Sequence, residues 1–200
     1  MITRVRAALD ALDHLVGGLG TAVLAIAALL WLLATAALCL VGVGVFLVPA
    51  ALRGLRVVAD RERARLSRWG HEVFSPDPVP AQLRAAVRDP AVRRELGWVV
   101  CHAGLGSFLG FVTLMLPLDV VHDLSFPVWW TLVPNEVDSP AVTLFRVHDW
   151  PGALVVGLMG LGALVVTVAL LPGMAWLQAW SAFRLLSPGR GTDLALLAAQ

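Results

Sequence analysis

The sequence predicts an all-α integral membrane protein with four transmembrane helices, arranged as two hairpins joined by an Arg-rich cytoplasmic segment. Composition is the first reason, because 58% of the 200 residues are hydrophobic and only 14% are charged, with a mean hydropathy of +0.80. A soluble domain carries about 25% charged residues. The second reason is charge placement, since two long apolar blocks flank a middle stretch that is rich in arginine.

The middle stretch, residues 53–96, determines the predicted orientation. It contains ten of the fifteen basic residues, all of them arginine, and six acidic residues, so its net charge is +4. Basic loops beside membrane spans tend to stay in the cytoplasm. The apolar block on each side must therefore leave the cytoplasm and return. We expect a multi-pass protein of the plasma membrane with both termini inside.

The first hairpin is expected within residues 1–56. Residues 1–14 are amphipathic, and the following 38 residues, 15–52, carry no charge. One helix of that length would be about 57 Å long, against about 30 Å of hydrocarbon. Two spans of about 18 to 20 residues fit instead, with a turn expected near residues 31–36. We expect Pro49 to kink the second span, which continues as helix into the cytoplasm.

The cytoplasmic connector is assigned to residues 57–96. A charged helix is expected up to Trp69, followed by a break at Gly70. A short helix is expected over residues 81–87, after a run of prolines. Pro90 then begins a helix that leads into the membrane, because a proline in the first helical turn loses no hydrogen bond.

The second hairpin is assigned to residues 97–186. Pro172 is expected to separate its last span from an amphipathic helix on the inner face. Tryptophan is enriched at membrane interfaces, and no tryptophan falls in the middle of a predicted span. The parts are a third span at 97–118, an outer loop at 119–151, a fourth span at 152–171, an inner helix at 174–186 and a cytoplasmic tail at 187–200.

Few residues of the spans or the connector suggest chemistry. Gly106 and Gly110 form a G-x-x-x-G pair, which we assign to helix packing. His102 is a functional candidate as an ionisable residue in a membrane, although a hydrogen bond to a nearby carbonyl or water explains it as well. His71 precedes Glu72 as in a phosphoacceptor helix, but prolines follow and no Gly-rich phosphate loop is present. We predict no enzymatic activity, no catalytic residue and no cofactor.

The outer loop is the segment expected to sense a ligand. It combines aromatic side chains with five acids against one arginine, and this net charge of −4 favours cationic ligands. Solvated loop residues and headgroup anchors are the simpler interpretation of the same side chains. The ligand-sensing candidates are Trp129, Trp130, Glu136, Asp138, His148 and Asp149. We predict no metal site, because two scattered His-Asp pairs lack ligand spacing; the residues that would serve are His122, Asp123, His148 and Asp149.

Short motifs in order resemble the four-helix sensor domain of actinobacterial histidine kinases. They are Arg88-Asp89-Pro90-Ala91 before the third span, Pro127-Val128-Trp129-Trp130 after it, and Val137-Asp138-Ser139 before the fourth. The resemblance covers nearly the whole chain and implies a single membrane sensor domain over residues 1–200, serving a two-component system. It implies a kinase core or a separate signalling protein as partner, beside the lipid bilayer. We also expect a homodimer and no nucleic-acid partner.

Two other classes of protein stay open. One is a small membrane transport or complex subunit, although a transporter is expected to show polar residues or broken helices near mid-membrane, and these spans are almost purely apolar. The other is a membrane scaffold that docks a cytoplasmic partner on the Arg-rich segment.

Overall fold

A computed structural model describes residues 2–70, 73, 75–80, 82–132, 147 and 149–187, and within them the chain is helical with no β-strand. This confirms the all-α class. A π-helical turn, His102–Gly106, joins the fourth helix to the fifth, and 3₁₀ segments lie at Val43–Phe46 and Trp130–Leu132. The α-helices are α1 (Ile2–Cys39), α2 (Val48–Arg68), α3 (Leu83–Arg88), α4 (Pro90–Cys101), α5 (Ser107–Trp129) and α6 (Trp150–Leu186).

Three described helical stretches are long and apolar enough to cross a membrane: Thr3–Cys39, Pro90–Leu132 and Trp150–Leu186. The predicted count of four is therefore not confirmed. The second predicted span is divided between the end of α1, a turn, a 3₁₀ segment and the start of α2. α2 is not a fourth such helix, because eight of its 21 residues are charged.

The turn predicted at residues 31–36 is wrong, because α1 continues through them to Cys39. The chain turns at residues 40–42, where Gly42 has a φ of 84° that a residue with a Cβ rarely adopts. Three successive N–H groups of this turn donate to carbonyls at the end of α1. Gly44 then packs so closely on that helix end that a Cβ would clash with its backbone. These two glycines, rather than any polar residue, mark the turn.

Several prolines lie inside helices where breaks are predicted. Pro49 starts α2 in its first turn and so does not kink a span. Pro127 lies within α5, which extends eleven residues into the predicted outer loop, and Pro172 lies within the single 37-residue helix α6. In apolar surroundings a helix persists around a proline because the alternative exposes more unpaired backbone groups. The predicted break after the fourth span is therefore absent.

The connector follows its prediction more closely. α2 ends at Arg68, and Gly70 follows with a φ of 81°. α3 falls where the short helix is predicted. Asp89 caps α4 by accepting a hydrogen bond of 2.8 Å from the N–H of Ala91, and Pro90 occupies the first helical position.

The described helices pack as two compact units. Unit 1 comprises Met1–Val16 and Gly110–Ala175, and unit 2 comprises Gly17–Leu109 and Trp176–Gln200. In unit 1, α6 approaches α5 closely because Gly160 lacks a side chain: a Cβ there would lie 2.8 Å from Leu124 N.

Unit 2 contains the larger hydrophobic core. Residues from α1, α2, α3, α4 and the end of α6 meet in it, and Trp98 is its largest fully buried side chain. Three further core side chains are at most 1% exposed: Leu55, Leu66 and Val99. Charged side chains are buried next to this core, and they form the candidate site.

Candidate functional site

Two arginines of α2 hold one fully buried glutamate of α4. Glu95 has no exposed surface, and it accepts hydrogen bonds from Arg56 Nε at 2.8 Å and from Arg63 Nη2 at 2.7 Å. Arg63 also contacts Asp60 Oδ1 at 2.7 Å. The guanidinium of Arg56 reaches the Pro-rich loop, where it donates to the carbonyl of Asp77 at 2.6 Å. Charge-assisted bonds thus tie α2, α4 and the connector loop together.

The second buried carboxylate belongs to α2 itself. Glu62 has no exposed surface and receives two bonds from Arg65, from Nε at 2.9 Å and from Nη2 at 2.6 Å. This bidentate geometry is the strongest arrangement of an arginine with a carboxylate. The hydroxyl of Thr21, in the middle of α1, lies 2.9 Å from the same carboxylate.

The polar chain continues from Thr21 to the π-helical turn. His102 Nε2 lies 2.9 Å from Thr21 Oγ1, and both side chains are buried. Thr21 Oγ1 also lies 3.0 Å from the carbonyl oxygen of Gly18. Because a hydroxyl has one proton and the carboxylate is the stronger acceptor, we assign Thr21 as donor to Glu62 and as acceptor from the Nε2–H of His102. A series of hydrogen bonds therefore connects α2, α1 and the π turn, from Arg65 through Glu62 and Thr21 to His102.

The π turn is shaped around the His102 ring. The ring stacks on Trp98 with centroids 5.0 Å apart. A Cβ on Gly106 would lie 2.8 Å from His102 Nδ1, so only glycine leaves room for this ring. π turns often occur at functional positions in helices. The predicted packing role of Gly106 and Gly110 between helices stays a prediction.

Gln178 of α6 completes the interior of unit 2. It is fully buried, and its amide lies directly against Gly18 of α1, where a Cβ would clash with it. Neither polar atom of this amide has a hydrogen-bond partner among the described residues. An unpaired amide is costly to bury. The contact with Gly18 is therefore a tight and energetically sensitive point.

The charge state of Glu62 follows from its surroundings. Burial raises its pKa, but the hydrogen bonds and the charge of Arg65 outweigh burial, with smaller contributions from His102 and Thr21. The net pKa of Glu62 lies below the ordinary value of 4.5. Glu62 is thus ionised at neutral pH and acts as the counter-charge of Arg65.

Three residues that were predicted in the outer loop lie together in unit 1, on α5 instead: His122, Asp123 and Trp129. His122 Nδ1 contacts Asp123 Oδ1 at 3.1 Å. The ring of Trp129 lies 5.1 Å from that of His122, and its Nε1–H donates to Ser125 Oγ at 3.1 Å. The helix places His122, Ser125 and Trp129 on one face at successive spacings of three and four residues, which the prediction of an irregular loop did not foresee.

Other predicted outer residues have structural roles or lie outside the described residues. Trp130 packs edge-on against Trp150 with centroids 5.6 Å apart. Asp149 accepts a hydrogen bond of 2.9 Å from Gly152 N–H and so caps the start of α6. Within the described part of the chain, no group of three His, Cys, Asp or Glu side chains could hold a metal. The residues outside it are Glu136, Asp138 and His148, and also His71 and Glu72.

Most of the buried polar residues were not predicted from the sequence. A charged helix was expected up to Trp69, but not that three of its arginines, Arg56, Arg63 and Arg65, are buried and paired. The helical periodicity of α2 contained a signal for this, because Arg56, Glu62 and Arg63 share a face with its buried leucines. No comparable signal marked Thr21 or Gln178, which lie in long apolar segments.

The fold and this site define an all-helical protein with helices of membrane-spanning length and an ionic network in its interior. The family model described as "Putative sensor" matches residues 14–186, and the chain therefore belongs to this sensor family. The searches of curated proteins and of solved structures gave no match.

Proposed function

We propose that this chain is the sensory input module of a two-component signalling system and that it controls a histidine kinase core. The observation that carries the proposal is membership of the sensor family over residues 14–186. The three helical stretches of membrane-spanning length support a position in the bilayer. In this proposal the chain itself is not an enzyme, and its partners are a kinase core or separate signalling protein and a second copy of the chain.

The proposed topology places both termini and the Arg-rich segment on the cytoplasmic side of the plasma membrane. The excess of arginine in residues 53–96 supports it. The chain would form two hairpins, as the four-helix family pattern implies. In unit 2, Gly17 lies near Arg65 and Thr21 near Glu62, which supports an antiparallel pairing of α1 with α2.

The proposed mechanism is a displacement of α6. A stimulus at the outer end would act near Trp129, Trp130 and Asp149, where α5 ends and α6 begins. α6 is one continuous helix of 37 residues, about 55 Å long. A helix of that kind transmits a shift or rotation along its axis, which is a common way for such modules to signal.

The test joins the full chain to a working kinase core and measures autophosphorylation across candidate stimuli. Asp138→Asn and His148→Ala are expected to change the response while expression and membrane insertion stay normal. Gly162→Ala is the matched control, since no atom lies within 4 Å of a Cβ at that position. Normal signalling by both outer variants, with altered output from substitutions at Gly106 and Gly110, would identify the bilayer as the input instead.

The absence of catalysis is tested on the isolated chain. It is expected neither to bind ATP nor to autophosphorylate, because it contains no Gly-rich phosphate loop. Transfer of labelled phosphate to the purified protein, abolished by His71→Ala, would contradict this. A transport subunit or a docking scaffold would instead leave every kinase fusion unresponsive to any stimulus.

A further inference from the structure

We propose that the outward face of α2 binds the headgroups of anionic phospholipids. This face, called here the arginine stripe, consists of Arg53, Val57, Arg61, Ala64 and Arg68, all exposed. The spacing of three or four residues places all five on one side of the helix. Anionic lipid is then a ligand of unit 2, whatever the identity of the kinase partner.

No acid of α2 belongs to the stripe itself, although Asp60 lies at its edge with a side chain that is 41% exposed. Glu62 is fully buried with Arg65, and Asp60 bonds Arg63 and the hydroxyl of Ser75 at 2.6 Å. The buried arginines of α2 are therefore neutralised within the fold, whereas the arginines of the stripe are not.

The outward arginines carry an uncompensated charge of +3. Among the described residues none of the three forms an ion pair, and Arg53 donates only to the neutral carbonyl of Pro49 at 3.1 Å. A single-sign stripe of this kind has an anionic surface as its complement. The fold thus sorts one Arg-rich helix into a paired inner face and a cationic outer face.

Apolar groups beside the arginines favour a lipid surface over a soluble acidic partner. Val57 within the stripe is 60% exposed, and Trp69 at the end of α2 is 39% exposed. Helices that lie at a membrane interface combine basic and apolar side chains in this way. The turn and the 3₁₀ segment before α2 also expose Leu40 and Phe46, at 90% and 86%. α2 follows α1, a helix of membrane-spanning length, so headgroups are within reach of the stripe.

The size of the effect follows from juxtamembrane basic segments in general. Each arginine near an anionic surface raises the affinity about fivefold, so three contribute roughly a hundredfold. At moderate ionic strength, salt screens the attraction between exposed charges over a distance of about 10 Å, and higher salt shortens this distance. Binding through the stripe should therefore depend on both lipid charge and salt.

The experiment places the full chain in nanodiscs of phosphatidylcholine alone or of phosphatidylcholine and phosphatidylglycerol in equal parts. Cys39 and Cys101 are replaced by Ala, and Ala64→Cys carries an environment-sensitive fluorophore on the stripe. We expect a blue-shifted emission and a several-fold loss of access to a water-soluble quencher in the phosphatidylglycerol discs only. High salt should reverse both changes.

Two sets of variants decide whether the stripe itself is responsible. Arg53→Gln, Arg61→Gln and Arg68→Gln together should abolish the difference between the discs, and the same three changed to Lys should keep it. The matched control removes three exposed arginines from α3 and α4, as Arg84→Gln, Arg88→Gln and Arg93→Gln, and should keep the difference.

Three outcomes would overturn the proposal. The first is equal fluorophore behaviour in both discs, and the second is an equal loss from the control set, which would indicate net charge alone. The third is an effect of the stripe set on kinase output without any dependence on lipid composition, which would assign the stripe to a protein partner. If the Gln set fails to fold, the Lys set and the salt dependence still decide. Loss of the difference between the discs in the Lys set would contradict lipid binding, and so would the absence of a salt effect.

Discussion

At the scale of single residues, unit 2 buries two ion-pair networks, and each depends on complete pairing. Glu62 and Glu95 have no exposed surface, so neither carboxylate has bulk water as an alternative partner. Replacing a buried pair by apolar groups is often neutral, whereas removing one partner leaves an uncompensated charge. The energetic value of these residues therefore appears when one partner is removed, and it is largely recovered when both are.

Glu62→Gln is expected to lower the free energy of unfolding by about 3–5 kcal/mol, because it leaves Arg65 buried without its counter-charge. Denaturant or thermal unfolding of the detergent-solubilised protein measures this loss. Adding Arg65→Met should recover most of it. Asp77→Asn removes an exposed acid and serves as the control, with an expected change within about 0.5 kcal/mol. Equal effects of Glu62→Gln and Asp77→Asn would contradict the ion-pair assignment.

The pH dependence of stability should carry the signature of Glu62. Burial raises its pKa, but the hydrogen bonds and the charge of Arg65, with smaller contributions from His102 and Thr21, together outweigh burial, so the pKa in the folded protein is lower than the ordinary value of 4.5. The contribution of Glu62 is therefore present above 4.5 and is lost as the pH falls through the folded pKa. The difference in unfolding free energy between wild type and Glu62→Gln should shrink on acidification. A constant difference from neutral to acidic pH would refute this.

Gly18 and Gly20 should respond oppositely to the same substitution. Gly18→Ala places a methyl group against the amide of Gln178, and we expect a loss of about 1–3 kcal/mol. Gly20→Ala meets no atom within 4 Å, and alanine is the better helix former, so stability should stay equal or rise by up to about 1 kcal/mol. Thermal unfolding compares the two. Gln178→Ala should reduce the cost of Gly18→Ala, and a cost that it leaves unchanged would argue against the contact.

At the scale of helices, apolar surroundings decide where elements begin and end. Pro127 and Pro172 lie within helices, whereas Gly42 ends the turn after α1 with a positive φ. Glycine also sets how closely helices approach in unit 1. At Gly160 two of the three nearest atoms belong to the backbone of α5 and the third is Asp123 Cβ, which is bonded to it, so none can move aside as the end of a flexible side chain would.

Gly160→Ala should therefore separate α5 from α6 and lower the unfolding free energy by about 1–3 kcal/mol. Gly162→Ala, two residues further on, meets no atom within 4 Å and is the control. The measurement is the thermal unfolding midpoint of each variant in the same detergent. If both alanines are tolerated equally, close packing through Gly160 is not what holds the two helices together.

At the scale of the whole molecule, the distribution of charge is the basis of the proposed orientation. Residues 53–96 have a net charge of +4, and residues 119–151 have a net charge of −4. The positive-inside rule applies to the first of these segments. Burial of Arg56, Arg63 and Arg65 does not weaken the argument, because the exposed arginines of α2, α3 and α4 remain.

The topology is tested by thiol labelling in intact cells, with Cys39 and Cys101 replaced by Ala. An impermeant reagent should modify Asp138→Cys and leave Asp77→Cys unmodified until the cells are permeabilised. Asp77 is preferable to Ser75, whose hydroxyl bonds Asp60. Labelling of Asp77→Cys alone in intact cells would invert the proposed topology.

The sequence by itself determined the class of protein and the elements that have local signals. Composition and charge placement predicted a helical membrane protein. The family match agrees with the resemblance in that both are to sensor domains. The start of α4 at Asp89-Pro90 and the break at Gly70 were predictable because capping, proline and glycine act within a few residues. The proposed cytoplasmic position of the connector rests on the same kind of local count.

Only the tertiary structure decided where α1 turns and which arginines are buried. Residues 15–52 are apolar nearly throughout and carry no charge, so composition could not place the turn, and the packing of Gly44 on α1 did. A charge count treats the arginines of α2 alike. Whether one is solvated or buried depends on a partner on another helix, as Arg56 depends on Glu95, and that pairing exists only once α2 and α4 are packed together.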